Sequence, residues 1–222
     1  MILQPIVEGK GEVQAIREMI FRLMTDAACF DFQVAHPIRR TISQLLNPEQ
    51  LEIAIRLARN TENVSAIIIV FDGDLDMPRK NNEYSPFCPK DDAAPLAQVA
   101  KSVAHEIPCE LVVALKEYES WLLAGIEGIR GQCGIPVNAV CPLNHDVVRD
   151  AKGALSDLMP SGSPYSPIAH QTALTNRFDL GLAHQRSRSF RKMAKAFKDL
   201  HSAVGISLDD WPPAAWDAST PQ

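Results

Sequence analysis

The sequence predicts an α/β fold, a mostly parallel sheet flanked by helices, and three observations carry that reading. Apolar runs of strand length alternate with stretches of helical apolar periodicity. Residues 65–71 are apolar without alternation, as in a strand covered on both faces, and 109–115 reads as another strand of that buried type. The order strand then helix recurs four times before Gly125, with no internal repeat of longer period.

Residues 2–7 make the first strand, interrupted by Pro5 and ended by Glu8-Gly9. Gly11-Glu12 opens a helix whose face is Val13, Ile16, Ile20, Leu23 and Ala27, with Gln14, Arg17 and Arg22 off that face. Residues 32–35 read as a second strand, broken by Pro37. Asn47-Pro48 starts a helix, with Pro48 at its first position, and Leu51, Ile55 and Ala58 carry it to about Arg59. The strand at 65–71 ends abruptly in Asp72-Gly73-Asp74-Leu75-Asp76. Residues 77–92 hold three prolines and read as a loop. Leu96, Val99, Ala100 and Val103 mark the next helix, 109–115 the next strand, and Glu119 begins a short helix.

Beyond about Gly125 the pattern weakens. Residues 152–158 read as one or two helical turns, 160–167 as a Pro/Ser-rich loop and 170–183 as helix. Phe190, Met193, Ala194, Phe197 and Val204 mark a last amphipathic helix beginning near Ser189. Residues 209–222 read as an irregular Pro-rich tail, in which Trp211 and Trp216 either dock on the body or move free of it. We therefore expect a single domain over 1–222, with a core over about 1–124, a helical extension over about 125–208 and the tail at 209–222.

Composition narrows the function classes. With 46% hydrophobic and 22% charged residues the chain lies in the globular range, away from disordered, collagen-like or coiled-coil sequences. A net charge of -5 argues against a general nucleic-acid coat and leaves room for a local basic patch. No run reaches the roughly 18 apolar residues of a membrane helix. The first residues lack the charged start and long apolar core of a secretory signal, so a cytoplasmic protein with no membrane partner is expected. Five cysteines, an odd number without a CxxC pair, indicate neither a disulfide framework nor a zinc site.

Acidic residues gather at three strand ends: Glu8 and Glu12, then Asp72, Asp74 and Asp76, then Glu117 and Glu119. Each group alone has a plain structural reading. Aspartates after a strand form turns, and an acid in a first helical turn complements the helix dipole. Parallel strands, however, would bring all three groups to the carboxyl edge of one sheet, where open α/β sheets bind ligands. Seven carboxylates converging with no cation would raise one another's pKa values, and a hard divalent ion is the simplest relief. Two ions can clamp the attacking and leaving oxygens of a phosphoryl displacement. GxGxxG, GxxxxGK[ST], GxSxG and HExxH are all missing from the sequence.

At these residues the sequence resembles a toprim domain, the metal-binding α/β module of topoisomerases, primases and overcoming-lysogenization-defect nucleases. The likeness lies in Val7-Glu8-Gly9-Lys10-Gly11-Glu12 and in the Asp72-Gly73-Asp74 pair after a buried strand. It is closer still to the DUF4276 group of small toprim-like proteins, through the ExESWLLA stretch from Glu117 to Ala124 and the SRSFRK segment at 187–192. The resemblance implies a toprim-like, Rossmann-like core and a Mg2+- or Mn2+-dependent nuclease acting in anti-phage defence, with one or two ions. On that model Glu8 is the acid/base or bridging carboxylate, Glu12, Asp72 and Asp74 hold metal, and Glu117 and Glu119 serve a second ion. Lys152 would offset developing negative charge. Asp76 has no role on that model. An ATPase partner and a homo-oligomer are further expectations.

Arg186, Arg188, Arg191 and Lys192 stand out in an acidic chain and fall where a helix dipole disfavours cations. They are expected to form a phosphate clamp guiding nucleic acid past the carboxylates, or else a surface run over a buried Phe190. Two other functions remain open: a phosphohydrolase of small phosphate esters, and a non-catalytic nucleic-acid-binding or regulatory subunit.

Overall fold

The computed structural model describes residues 1–79, 83–142 and 149–217. The chain runs β1 (Ile2–Val7), α1 (Glu12–Asp26), β2 (Gln33–Val34), β3 (Ile38–Arg39), α2 (Ile42–Leu45), α3 (Pro48–Arg59) and β4 (Val64–Asp72). It continues through β5 (Asp76–Pro78), β6 (Tyr84–Pro86), α4 (Ala94–Ala104), β7 (Cys109–Ala114) and α5 (Glu119–Ala124). Then come α6 (Ala151–Leu158), α7 (Thr172–Thr175), α8 (Leu180–Arg186), α9 (Arg188–Ala203) and α10 (Ala214–Asp217). The main sheet has the order β2-β1-β4-β7, with β3 also on β1, and its described pairings are all parallel. This is the expected α/β architecture of Rossmann-like type.

The unbroken apolar runs follow from a sheet buried on both faces. Side chains alternate across the pleat. Leu3, Val7, Ala66, Ile68, Val70, Val112 and Ala114 therefore enter one cluster, with α1, α5 and α9. Ile6, Ile67, Ile69, Phe71, Leu111 and Val113 enter the other, with α3 and α4. Leu155, Tyr165, Leu174, Phe178 and Phe190 of the helical extension lie in the first cluster, so the extension closes that face of the sheet.

Several expectations are corrected. Pro37 does not end the second strand but interrupts it: β2 pairs Ile2 and Leu3, and β3 resumes on Ile6 and Val7. Gln4 spans the gap, its Nε2 donating to the His36 carbonyl at 2.9 Å. Residues 77–92 are not simply a loop. β5 and β6 pair antiparallel, and a wide helical turn at Pro89–Ala93 leads into α4. Three-residue strands bounded by proline are too short to show a period.

The stretch 170–183 is divided rather than continuous. Its start belongs to a wide turn at Pro167–Gln171, α7 follows, and Asp179 then caps α8 by accepting from the Leu182 N–H at 2.8 Å. The last helix begins at Arg188, with Ser187 Oγ accepting from the Phe190 N–H. The tail is not irregular throughout. It forms α10, and both tryptophans dock: Trp211 Nε1 donates to the Ala194 carbonyl at 2.9 Å and Trp216 Nε1 to Asp26 at 2.8 Å.

Candidate functional site

Parallel pairing sets the carboxyl ends of β1, β4 and β7 side by side, with Val7 opposite Val70 and Asp72 opposite Ala114. The turns leaving those ends carry the acids. Glu8 Oε2 accepts from the backbone N–H of Asp72 at 3.1 Å, which joins the ends of β1 and β4. Asp72 Oδ1 accepts from the Tyr118 N–H at 2.8 Å, which joins β4 to the turn before α5. Glu12 folds back from the first turn of α1, and its Oε2 accepts from the N–H groups of Glu8 and Gly9, both at 3.1 Å. Gly11 fits here because a Cβ would lie 2.2 Å from Gln171 Oε1.

The centre of the cluster is a cation. Lys152 Nζ lies 2.7 Å from Glu117 Oε1, 3.2 Å from Asp72 Oδ2 and 3.4 Å from Glu119 Oε2. Helix α6 delivers it. Asp150 caps that helix on the Gly153 N–H, and Glu117 Oε2 accepts from the Lys152 N–H at 2.9 Å. Glu117 thus meets the first turn of α6 and the Lys152 ammonium together. Glu119 is fully buried. Its Oε1 accepts from the Tyr165 hydroxyl at 2.8 Å, while Oε2 has no hydrogen-bond partner.

One ammonium does not neutralise this many acids. Burial, reinforced by Asp72, raises Glu8 to about 7 and Glu12 to about 8. Burial also raises Glu119 to about 7, with Asp72 adding and Lys152 opposing. Asp72 is raised by burial against the pull of Lys152. Burial disfavours the Lys152 charge, but Asp72, Glu119 and Glu117 outweigh it and hold its pKa above the ordinary lysine value.

The structure therefore gathers Glu8, Glu12, Asp72, Glu117, Glu119 and Lys152. Asp74 sits exposed at the rim, its pKa raised by burial and then by Glu117. Asp76 turns away and pairs with Arg149 at 2.6 Å, which gives this acid a partner the sequence did not reveal. Tyr165, Gln171 and Arg149 are site neighbours that the sequence did not single out. They lie outside the motifs, and only the folded chain brings them near.

The basic run meets partners that the sequence did not reveal. Arg186 makes a two-pronged pair with Glu127, at 2.7 and 3.0 Å, and also donates to the Ala124 carbonyl. Arg191 donates to the carbonyls of His184 and Gln185, and Lys192 pairs with Glu110 near the amino end of β7. Arg188 opens α9. Arg191 thus serves the C-terminus of α8 and Arg186 that of α5, where cations are favourable. These contacts hold Arg186, Arg191 and Lys192 on partners other than the strand-end carboxylates. Phe190 is buried beneath the run, as the bland reading had it.

Among the described residues no three acid, histidine or cysteine side chains stand close enough to share one ion. The donor chemistry nevertheless suits a hard divalent cation. The donors are oxygens throughout, one buried carboxylate oxygen lacks a hydrogen-bond partner, and burial raises three carboxyls to near-neutral pKa.

These shifts set a pH dependence. Glu8, Glu12 and Glu119 hold protons in the folded state that the unfolded chain, near 4.5, has released. Folding then takes up protons, so stability falls as pH rises between the two values. We expect the chelator-treated protein to lose stability steadily from about pH 5 to about pH 8. Urea unfolding at a series of pH values checks this, and a rise across that window would contradict the protonated site.

The model of a domain of unknown function, DUF4276, matches residues 7–198. No curated protein and no solved structure matches the chain.

Proposed function

The chain belongs to the DUF4276 family, and on that premise we propose that it is a divalent-metal-dependent nuclease hydrolysing nucleic-acid phosphodiester bonds. The observation that carries this reading is the junction of β1 and β4. There a Glu8 carboxyl of pKa about 7 is hydrogen-bonded to the Asp72 backbone, with Asp72 and the Lys152 ammonium in contact. A general base works best with a pKa near the working pH.

Glu8 and Asp72, joined at the strand ends, would hold a Mg2+ or Mn2+ ion with water completing its ligands. When bound, such an ion supplies Lewis-acid polarisation of a phosphoryl oxygen. The rest of the chemistry belongs to the chain. Glu8 takes the proton of the attacking water. Lys152 stabilises negative charge developing on the phosphate oxygens. Asp72 is fixed by the Tyr118 N–H, and Glu117 holds Lys152 toward the strand ends. Glu12 holds the turn that presents Glu8. The toprim resemblance of VEGxxE and DGD supports nucleic acid as the substrate and a role as a defence effector. With no P-loop in the sequence, ATP hydrolysis in such a system would fall to a partner protein.

The test incubates purified protein with plasmid DNA, single-stranded RNA or p-nitrophenyl phosphate, with Mg2+ or Mn2+ and with chelator. We expect nucleic-acid cleavage that chelator abolishes. Release of p-nitrophenol without cleavage would identify a small-ester phosphohydrolase instead. Binding without metal-dependent turnover of any substrate would leave a non-catalytic subunit.

A further inference from the structure

We propose that the outer edge of β7 is a docking slot for an extended acidic segment of a partner protein. Among the described residues the sheet ends at β7, which pairs with β4 alone. The flanking bonds fix which backbone groups face inward. Ile67 N–H donates to the Pro108 carbonyl at 2.8 Å and Gly73 N–H to the Ala114 carbonyl at 2.9 Å. With Ile67 opposite Cys109 and Asp72 opposite Ala114, the parallel pattern turns the backbone groups of Glu110, Val112 and Ala114 toward β4. Those of Leu111 and Val113 point outward.

Leu111, Val113 and Leu115 also line a groove of about 530 Å³ between α4 and α9. Ala94 and Ala97 form its α4 wall, small residues that leave room for an added strand. An outward ladder of N–H and C=O groups under an apolar slot is what an added strand satisfies, main chain to main chain.

Charge selects the occupant. Lys90, Lys101, Arg188 and Lys192 line the groove, and Glu110 is the one acid among its lining residues. Glu110 pairs with Lys101 at 3.0 Å and Lys192 at 2.9 Å, bridging the slot at the amino end of β7, and Leu111, Val113 and Leu115 line the groove beyond it. Lys90, which makes no ion pair among the described residues, favours a strand bearing aspartate or glutamate. It disfavours a second copy of this chain, whose identical edge would bring the same cations face to face. A nucleic acid would meet the cations but offers no ladder to Leu111 and Val113. This slot makes no use of the carboxylate site, so it stands or falls apart from the nuclease reading.

The test pans a random peptide library against the full chain. The peptides are about eight residues long, enough to span β7 at roughly 3.3 Å per residue. The best peptide is then followed by fluorescence anisotropy and by residue-resolved amide exchange. We expect recovered peptides to alternate apolar and acidic residues, and to slow exchange at Leu111 and Val113 but not at Glu110, Val112 or Ala114. Val113→Pro removes an outward donor without touching the β4 ladder and should weaken binding about fivefold, one backbone hydrogen bond's worth. Lys90→Glu should weaken it further in low salt. The proposal is overturned if no recovered peptide slows exchange at Leu111 and Val113, or if a single-stranded oligonucleotide does so in its place. Unchanged affinity in a folded Val113→Pro protein also overturns it. Should that variant misfold, the exchange pattern of the wild-type chain decides.

Discussion

Replacing Glu8 by glutamine is expected to lower metal-dependent cleavage about 10²–10⁴-fold, the range for loss of a positioned acid/base group. The fold should survive, because a glutamine carbonyl accepts from the Asp72 N–H as the carboxylate does. Stability without metal should rise slightly above pH 7, since the substitution removes a carboxyl whose ionisation burial opposes. Asp72→Asn should give a comparable loss of turnover, since Asn keeps the oxygen that accepts from Tyr118 but faces Lys152 without charge. Initial rates on a labelled oligonucleotide, with circular dichroism on the same samples, decide the matter. A folded Glu8→Gln protein that cleaves at the wild-type rate removes Glu8 from the chemistry.

Lys152→Met carries the second large effect, on stability as well as turnover. The substitution keeps the length of the side chain but withdraws the ammonium from Asp72, Glu117 and Glu119. Breaking a fully buried pair costs roughly 3–5 kcal/mol. Lys152 is 37% exposed, so solvent screening brings the expected loss to about 1–3 kcal/mol at neutral pH. Without the ammonium Asp72 and Glu119 rise further and fold best when protonated. The deficit should therefore widen as pH rises and shrink toward pH 5 or so. Millimolar Mg2+ should restore part of the stability, since an ion that binds only the folded state favours it by mass action. Thermal melts across pH, with and without Mg2+, read all of this. A Lys152→Met protein as stable as wild type at pH 8 would show that the ammonium is dispensable to the cluster.

Both effects depend on a site only half visible in the linear chain. β4 and β7 are legible because burial on two faces leaves mostly apolar runs without alternation, and a parallel sheet then follows. That in turn puts Glu8, Asp72 and Glu117 on one edge, because parallel strands share their carboxyl ends. The position of Lys152 is not legible. Among the acids' neighbours it is named through a family resemblance alone, and its place between Asp72 and Glu119 depends on where α6 lands. The partners of the basic residues of 186–192 are illegible for the same reason. Read along the chain they are a cationic patch, whereas in space Glu127, Glu110 and the end of α8 have already taken three of them.

By itself, then, the sequence determined the layers of the fold, its parallel sheet and the edge on which the acids stand. Apolar periodicity and strand-end motifs report local geometry, and these features are local. The tertiary structure alone decided which charges meet. It set Lys152 among three carboxylates, gave Glu119 the Tyr165 hydroxyl, turned Asp76 to Arg149 and spent the arginines on helix ends. Each of those contacts joins residues whose approach is fixed by packing across the whole core, and no pattern of neighbours along the chain encodes it.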